Sequence, residues 1–554
     1  MKNTILTIMA STLLVACGAD TTTALPKADL MVINANGYTM SDTELVQFDT
    51  LVIDNGKVVA IGGVELEQDY KPGTVLDAEG KSILPGLIDA HGHVSSLGKL
   101  RKTLDLAGMT SLDTTLSAIG GFEDSLTSDD EWLLGRGWNQ VLWVEDRFPT
   151  RQDLDAVAPD RPVFLNRIDG HAAWANSKAL ELAGITSETA DPSGGVIMRD
   201  ASGLATGVLV DSAMDLVEAV IPEPPAQTQR DYLKTAMEEL ATLGITGVHD
   251  AGVTKLEVEL YQDLADSGEM PVRVSAMLGG IPVLNQFDGP IQNYADDLFE
   301  VTAVKLYADG ALGSRGAAMM EPYSDDPDNK GLLFEDTVTM TEYIKASHAK
   351  GFAANIHAIG DAANRTVLDA FEAARRDGSG DFNDRIEHAQ VVALEDIPRF
   401  KSLDVVASFQ PTHATSDKNM AEDRVGSERI KGAYAWQRML EAGVKMAAGS
   451  DFPVEKPEMF DGLFAAVTRQ SKDGEPPNGW FPDQALTREQ TLAAFTIWAS
   501  RSVGQGDRIG QLTPGMWADF IVIDRDYFEI PAEEIWQIKT LETWVAGKRV
   551  YQAE

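Results

Sequence analysis

Five side chains in this sequence are ordinary ligands for a divalent metal ion, and a sixth is a lysine in an apolar run. They are His91 and His93 in Ile88-Asp89-Ala90-His91-Gly92-His93, His357 closing Ala354-Asn355-Ile356-His357, His388 closing Arg385-Ile386-Glu387-His388, Asp451 closing Ala448-Gly449-Ser450-Asp451, and Lys305 in Ala303-Val304-Lys305-Leu306-Tyr307. His91 and His93 are two residues apart, so on an extended chain both point the same way, and the intervening glycine lets an ion come close. Imidazole suits zinc-like ions and a carboxylate adds a harder oxygen. Singly each signal is weak. A strand-end histidine is a packing residue more often than a ligand, Asp451 could cap a helix before Phe452-Pro453, and Lys305 could be a buried, salt-bridged lysine. Together, four of the chain's eight histidines with a lysine and an aspartate in ordered succession are hard to obtain by accident. The chemistry such a set supports is hydrolysis: the metal lowers the pKa of a bound water towards neutrality and polarises a carbonyl.

Residues so far apart meet only if the elements between them return each time to one end. Short apolar strands alternate with helical stretches such as Gln229–Thr242 and Thr339–Lys350, the pattern of βα units around a parallel sheet. Strands are predicted at Ser82–Ala90, Thr246–Asp250, Arg273–Leu278, Thr302–Tyr307, Ala353–His357, Arg385–His388, Val405–Gln410 and Lys445–Ser450. That is the count of an α/β, (β/α)8 TIM-type barrel, and the six side chains fall at C-terminal strand ends, where active sites of this fold lie. The gap between the first two strands exceeds one helix, so about residues 95–240 are expected as an insertion covering the mouth. At the chain's two ends, strand-like runs (Leu30–Asn34, Thr50–Ile53, Lys57–Gly62, Ala518–Asp524, Glu542–Tyr551) include the hairpin signal Asp54-Asn55-Gly56. They predict one small composite β-sandwich from residues 28–82 and 508–554, with the barrel over 83–507 set between its halves.

Other residues have two readings each. Trp138, beside Asn139-Gln140, and Trp174, near His171, could line the mouth and favour an apolar or aromatic group on the scissile nitrogen; with Trp132 and Trp143 they could equally pack the insertion. Arg315 binds a substrate carboxylate or anchors its glycine-rich loop. His413, after the seventh strand, could reach the mouth, and His249 could sit behind it or be a packed histidine. Asp309, Asp361 and Glu387 could orient ligands or be surface or capping residues. His348 reads as plain helix surface.

Pro85-Gly86-Leu87-Ile88-Asp89-Ala90-His91-Gly92-His93, the Lys305–Gly316 stretch Lys-Leu-Tyr-Ala-Asp-Gly-Ala-Leu-Gly-Ser-Arg-Gly, Ile356-His357-Ala358-Ile359-Gly360-Asp361, Arg385-Ile386-Glu387-His388-Ala389 and Gly449-Ser450-Asp451 together resemble the amidohydrolase superfamily. The branch most similar by motif contains N-substituted formamide deformylases. It is matched as well by Gly135-Arg136-Gly137-Trp138-Asn139-Gln140, Phe148-Pro149-Thr150-Arg151, Asp169-Gly170-His171-Ala172-Ala173-Trp174 and the closing Pro514-Gly515-Met516-Trp517-Ala518-Asp519-Phe520. The resemblance implies that His91, His93 and Asp451 bind one metal, that His357 and His388 bind another, and that a carboxylated Lys305 bridges the two. It implies too that Asp451 takes the water proton and returns it to the leaving nitrogen, and that His171 lies near the substrate unless it only packs its loop. Carbon dioxide added to Lys305 would make an anion of a buried cation; an unmodified lysine would leave one ion. The activity implied is hydrolysis of a non-peptide C–N bond, with a cyclic amide, carbamate or lactone as the alternative substrate. A binding lipoprotein without catalysis is the alternative of another class.

Composition bounds the partners. Forty-six basic against eighty-six acidic residues give a formal charge of −40, which argues against nucleic acid, whose phosphates would be repelled. The single cysteine excludes a disulfide scaffold. It stands in Leu14-Val15-Ala16-Cys17-Gly18, after Lys2 and an apolar run too short to span a bilayer. This resembles a bacterial lipobox: residues 1–16 a signal, Cys17 lipidated, 17–27 a tether, and the protein anchored in the cell envelope facing the periplasm. The oligomeric state is left open, a dimer being compatible.

Overall fold

The computed structural model describes residues 25–554, apart from 42–43, 125, 127–131, 146, 169 and 193. The expected signal and Cys17 lie outside the described residues, as does most of the tether.

Eight parallel strands form the central sheet: β1 (Leu87–Gly92), β2 (Ile245–Val253), β3 (Arg273–Gly279), β4 (Phe299–Tyr307), β5 (Ala353–Ala358), β6 (Arg385–His388), β7 (Val406–Phe409) and β8 (Met446–Ala448). Each pairs with the next in chain order. Their residues are almost continuously buried, which is why they read as apolar runs rather than alternating ones. β8 and β1 form no ladder, but bonds just past their ends join the seam. Asp451 N donates to His91 O at 2.7 Å and His93 N to Phe452 O at 2.9 Å. The result is a nearly closed eight-stranded parallel barrel.

Three predicted strands are shorter than expected, Val405–Gln410 by one residue at each end. Ser82–Ala90 divides at Gly86: Ser82–Pro85 pairs antiparallel with Phe520–Ile523 in another sheet, and only the remainder enters the barrel. A Cβ at Gly86 would lie 2.1 Å from Thr246 Oγ1, so the chain crosses between sheets where only glycine fits. β8 stops before Gly449, whose Cβ would lie 2.5 Å from the His91 nitrogen.

Helices cover the barrel outside. In Ala226–Thr242 the residues Leu233, Ala236, Met237 and Leu240 are buried at helical spacing. Burial of each large apolar chain stabilises by about 1.5–3 kcal/mol. Helix Thr337–Ala349 begins at Asp336, whose side chain accepts from Thr339 N at 2.8 Å. On it His348 is buried, against expectation. Its Nε2 meets Asp384 Oδ1 at 2.9 Å and its ring stacks on Phe382, because this helix face packs on the barrel rather than meeting water.

Between β1 and β2 the chain builds a six-stranded sheet, ordered Gly195–Arg199, Ala205–Asp211, Ala172–Ala175, Val163–Arg167, Leu133–Trp138, Leu104–Asp105. Its core corrects the expectation for the tryptophans. Trp138 and Trp174 have no exposed surface, and with Trp143 their ring centroids lie 6.2 Å apart. Trp138 Nε1 donates to Leu165 O at 2.7 Å and Trp174 Nε1 to Thr150 O at 2.8 Å. A fully buried indole with its donor satisfied offers a substrate neither face nor edge.

The terminal segments form two further sheets, of four strands (residues 27–77) and six (residues 36–85 and 520–552). Val32, Leu51 and Ile53 of the first share a core with Ile83, Phe520 and Val522 of the second. The Asn55-Gly56 turn has positive φ at both residues, as a tight hairpin requires.

Candidate metal centre

The two histidines of β1 are aimed by what holds their outer nitrogens. His91 Nδ1 lies 2.5 Å from Glu387 Oε2, and His93 Nδ1 lies 2.9 Å from the Ala251 carbonyl. Each acceptor fixes the proton on Nδ1 and leaves the Nε2 lone pair facing inward. Asp451 Oδ1 stands 3.1 Å from His93 Nε2 and 3.6 Å from His91 Nε2. These three could hold an ion together.

A second group shares the same carboxylate: His388, His413 and Asp451. His388 Nδ1 meets Gln410 Oε1 at 2.8 Å, which again frees Nε2, and His413 Nε2 lies 3.7 Å from Asp451 Oδ2. The His357 ring is 4.5 Å from that of His388. His357 Nε2 and His413 Nε2 are buried without a hydrogen bond. Buried nitrogens left unsatisfied are costly unless something else binds them, so the residues present fit a metal ion. The structure thus adds His413, expected only as a mouth residue, to the ligand-type groups.

Burial and the nearby Lys305 charge depress His91 to about 4 and His357 to about 3; burial, then His357, takes His388 well below its ordinary value. All three are therefore neutral imidazoles at physiological pH, the form that coordinates metal. Burial opposes ionisation of Asp451, but the His93 hydrogen bond and the surrounding histidines hold it below the usual carboxylate range. Lys305 Nζ is 3.0 Å from His91 Nε2, and burial draws its pKa down to about 8. His388 and Asp451 have left-handed backbones, φ 74° and 64°. Such conformations persist where surrounding structure over-determines them, and they cluster at functional sites.

Behind these histidines lies a buried ionic layer. Arg385 donates to Glu387 Oε2 (3.0 Å) and Ala90 O (2.6 Å), and its Nη1 meets His249 Nδ1 at 2.8 Å. Burial pushes Glu387 upward, yet Arg385 and His91 hold it well below the ordinary range. The role of Arg385 was not foreseen; a charged residue opening the buried run Arg385–His388 was its only signal. Asp89 was also missed. Its carboxylate accepts from His91 N, Ser450 N and Ser450 Oγ (3.1, 3.0 and 2.6 Å), tying the β1 and β8 ends together. Asp309 accepts three backbone N–H groups, from Ala318, Ile359 and Gly360, beside His357. Asp361 accepts from Met320 N at 2.8 Å and so braces the loop after β4.

Two expected substrate residues have carboxylate partners of their own. Arg315 is paired with Asp325 at 3.1 and 2.9 Å, which makes it a loop anchor. His171 is 77% exposed in its side chain on the 94–244 segment, with Nδ1 2.9 Å from Asp211.

The amidohydrolase family model matches residues 74–551. This chain belongs to the amidohydrolase family. The amidohydrolase is 34% identical over 95% of its length to Protein LONG AFTER FAR-RED 3 of Arabidopsis thaliana, covering 92% of that protein. It is 30% identical over 95% to the N-substituted formamide deformylase of Arthrobacter pascens, covering 98% of it. A crystal structure of an uncharacterized metal-dependent hydrolase from Pyrococcus furiosus superposes with a TM-score of 0.76 at 30% identity, over 90% of this chain and all of that one. The amidohydrolase described here is accordingly a hydrolase with His/Asp groups able to hold metal.

Glu387 offers a direct check on how those groups are supported. Glu387→Gln keeps the shape but weakens the acceptor behind His91. Metal affinity measured by chelator competition is expected to fall about 10–100-fold. Unchanged affinity would mean that Glu387 serves only to neutralise Arg385.

Proposed function

We propose that this amidohydrolase cleaves a non-peptide carbon–nitrogen bond in a small amide, an N-substituted formamide or a close relative. The observation that carries the reading is the sharing of the Asp451 carboxylate by two clusters of histidines at the C-terminal end of the barrel. The full-length likeness to a formamide deformylase favours this bond type.

His91, His93 and Asp451 would hold one divalent ion, zinc by ligand type, and His388 with His357 or His413 a second, with Lys305 between them as a carbamate. When bound, such ions supply an acidified water and a polarised carbonyl. Asp451, ionised and within reach of both clusters, accepts the water proton and returns it to the leaving nitrogen. The Glu387–Arg385 layer keeps His91 oriented throughout.

The 94–244 segment serves as a cover over the mouth, and the paired terminal sheets as a composite sandwich. Lipidation at Cys17 would tether the enzyme to the bacterial envelope; among the described residues no helix is long and apolar enough to cross a membrane. A panel of N-substituted formamides, cyclic amides, carbamates and lactones, assayed beside elemental analysis, tests the proposal. About one to two transition-metal ions per chain and turnover of the formamides are expected. A metal-free protein that stays inactive after zinc addition would sink it.

A further inference from the structure

Tyr307 ends β4, two residues beyond Lys305, so the two side chains leave the strand on the same face. Its ring lies 5.6 Å from the His357 ring on β5 and 5.1 Å from Lys305 Nζ. The hydroxyl extends the other way, towards β2, where a Cβ added to Gly252 would stand 3.9 Å from Oη. The carbonyl of Ala251, next to Gly252, is the one that orients His93. The phenol therefore reaches across the barrel mouth beside both ligand clusters. It is 46% exposed, and its hydroxyl makes no hydrogen bond with any described residue.

Three cationic donors of the barrel and its loops are already committed. Lys305 Nζ meets His91, Arg385 is buried behind the ligands, and Arg315 is tied to Asp325. A phenylalanine would fill the same space, so the hydroxyl is the part of this side chain that packing does not explain.

We propose that Tyr307 is a catalytic residue whose neutral phenol donates a hydrogen bond to the scissile carbonyl oxygen as that oxygen becomes negative. This rests on the amide-hydrolase reading above. As the water oxygen bonds to the carbonyl carbon, the carbon–oxygen π pair moves onto oxygen, and Tyr307 donates to it while keeping its own proton. The pair returns when the C–N bond breaks, and the nitrogen leaves with the proton carried by Asp451. A donor already in place where charge develops strengthens in the transition state and costs no reorganisation.

The test compares wild type and Tyr307→Phe on an amide the wild type turns over. The variant is expected to lose about 10²–10³-fold in kcat, the scale of removing one such donor. Metal content and Tm should match the wild type. Calorimetry should show a phosphonamidate mimic of the tetrahedral species binding weaker by a similar factor, with KM changing less than about threefold. Full turnover with unchanged mimic affinity would overturn the proposal, and so would a rise in KM as large as the loss of mimic affinity with kcat unchanged, which would make the side chain a wall. A wild type inactive on every amide, carbamate and lactone would instead overturn the hydrolase reading, and this proposal with it.

Discussion

Asp451→Asn is expected to lower kcat by about 10⁴-fold, the upper end of what a positioned acid–base group contributes. The carboxylate stands 3.1 Å from His93 Nε2, 3.6 Å from His91 Nε2 and 3.7 Å from His413 Nε2, so one oxygen pair serves both histidine groups. Asparagine keeps the shape and tolerates the left-handed backbone at φ 64°, so folding should survive. What is lost is the charge and the proton acceptor. Steady-state rates with metal analysis of the same sample check this. A variant retaining a tenth of the turnover would remove Asp451 from the proton path and leave it a structural link between β8 and β1.

Lys305→Ala should cost about 10²-fold or more in activity, the scale of one lost electrostatic group, together with one of two bound metals. Carbon dioxide adds only to a neutral amine. With its pKa drawn down to about 8 by burial, about a quarter of Lys305 is neutral at pH 7.5, against about one part in a thousand for an exposed lysine. Once carboxylated, the side chain exchanges a buried cation beside His91 for an anion among ligand nitrogens, removing the cost of burying an ammonium there. Short-chain carboxylates soaked into the variant should restore part of the activity by occupying the vacated space. Full turnover and full metal content in Lys305→Ala would leave it a buried structural lysine.

Much of the barrel was legible because its signals are local. A strand buried on both faces is an apolar run whatever its partners, and β2 to β7 stand close to their expected places. Where a partner intervened, the reading failed. Nothing within Ser82–Ala90 announces that its first half pairs with Phe520–Ile523, more than four hundred residues away. The tryptophans misled for a related reason: an indole is equally suited to a mouth and a core, and only the neighbouring strands decide which. His348 was misread because the face a helix presents to the barrel depends on the barrel.

The sequence by itself determined which residue types stand at strand ends, and so the class of chemistry they could support: His91, His93, His357, His388 and Asp451 are ligand-type residues whatever lies between them. Tertiary structure alone decided how they are used. It turned His91 through Glu387, a residue 296 positions away, placed Arg385 behind that pair, brought His413 to Asp451, and tied Arg315 to its own loop. Spacing along a chain sets the direction of a side chain over one strand or one helical turn. The acceptor that fixes a tautomer, or the burial that moves a pKa, comes from whichever distant strand packs beside it, and that is settled only when the barrel closes.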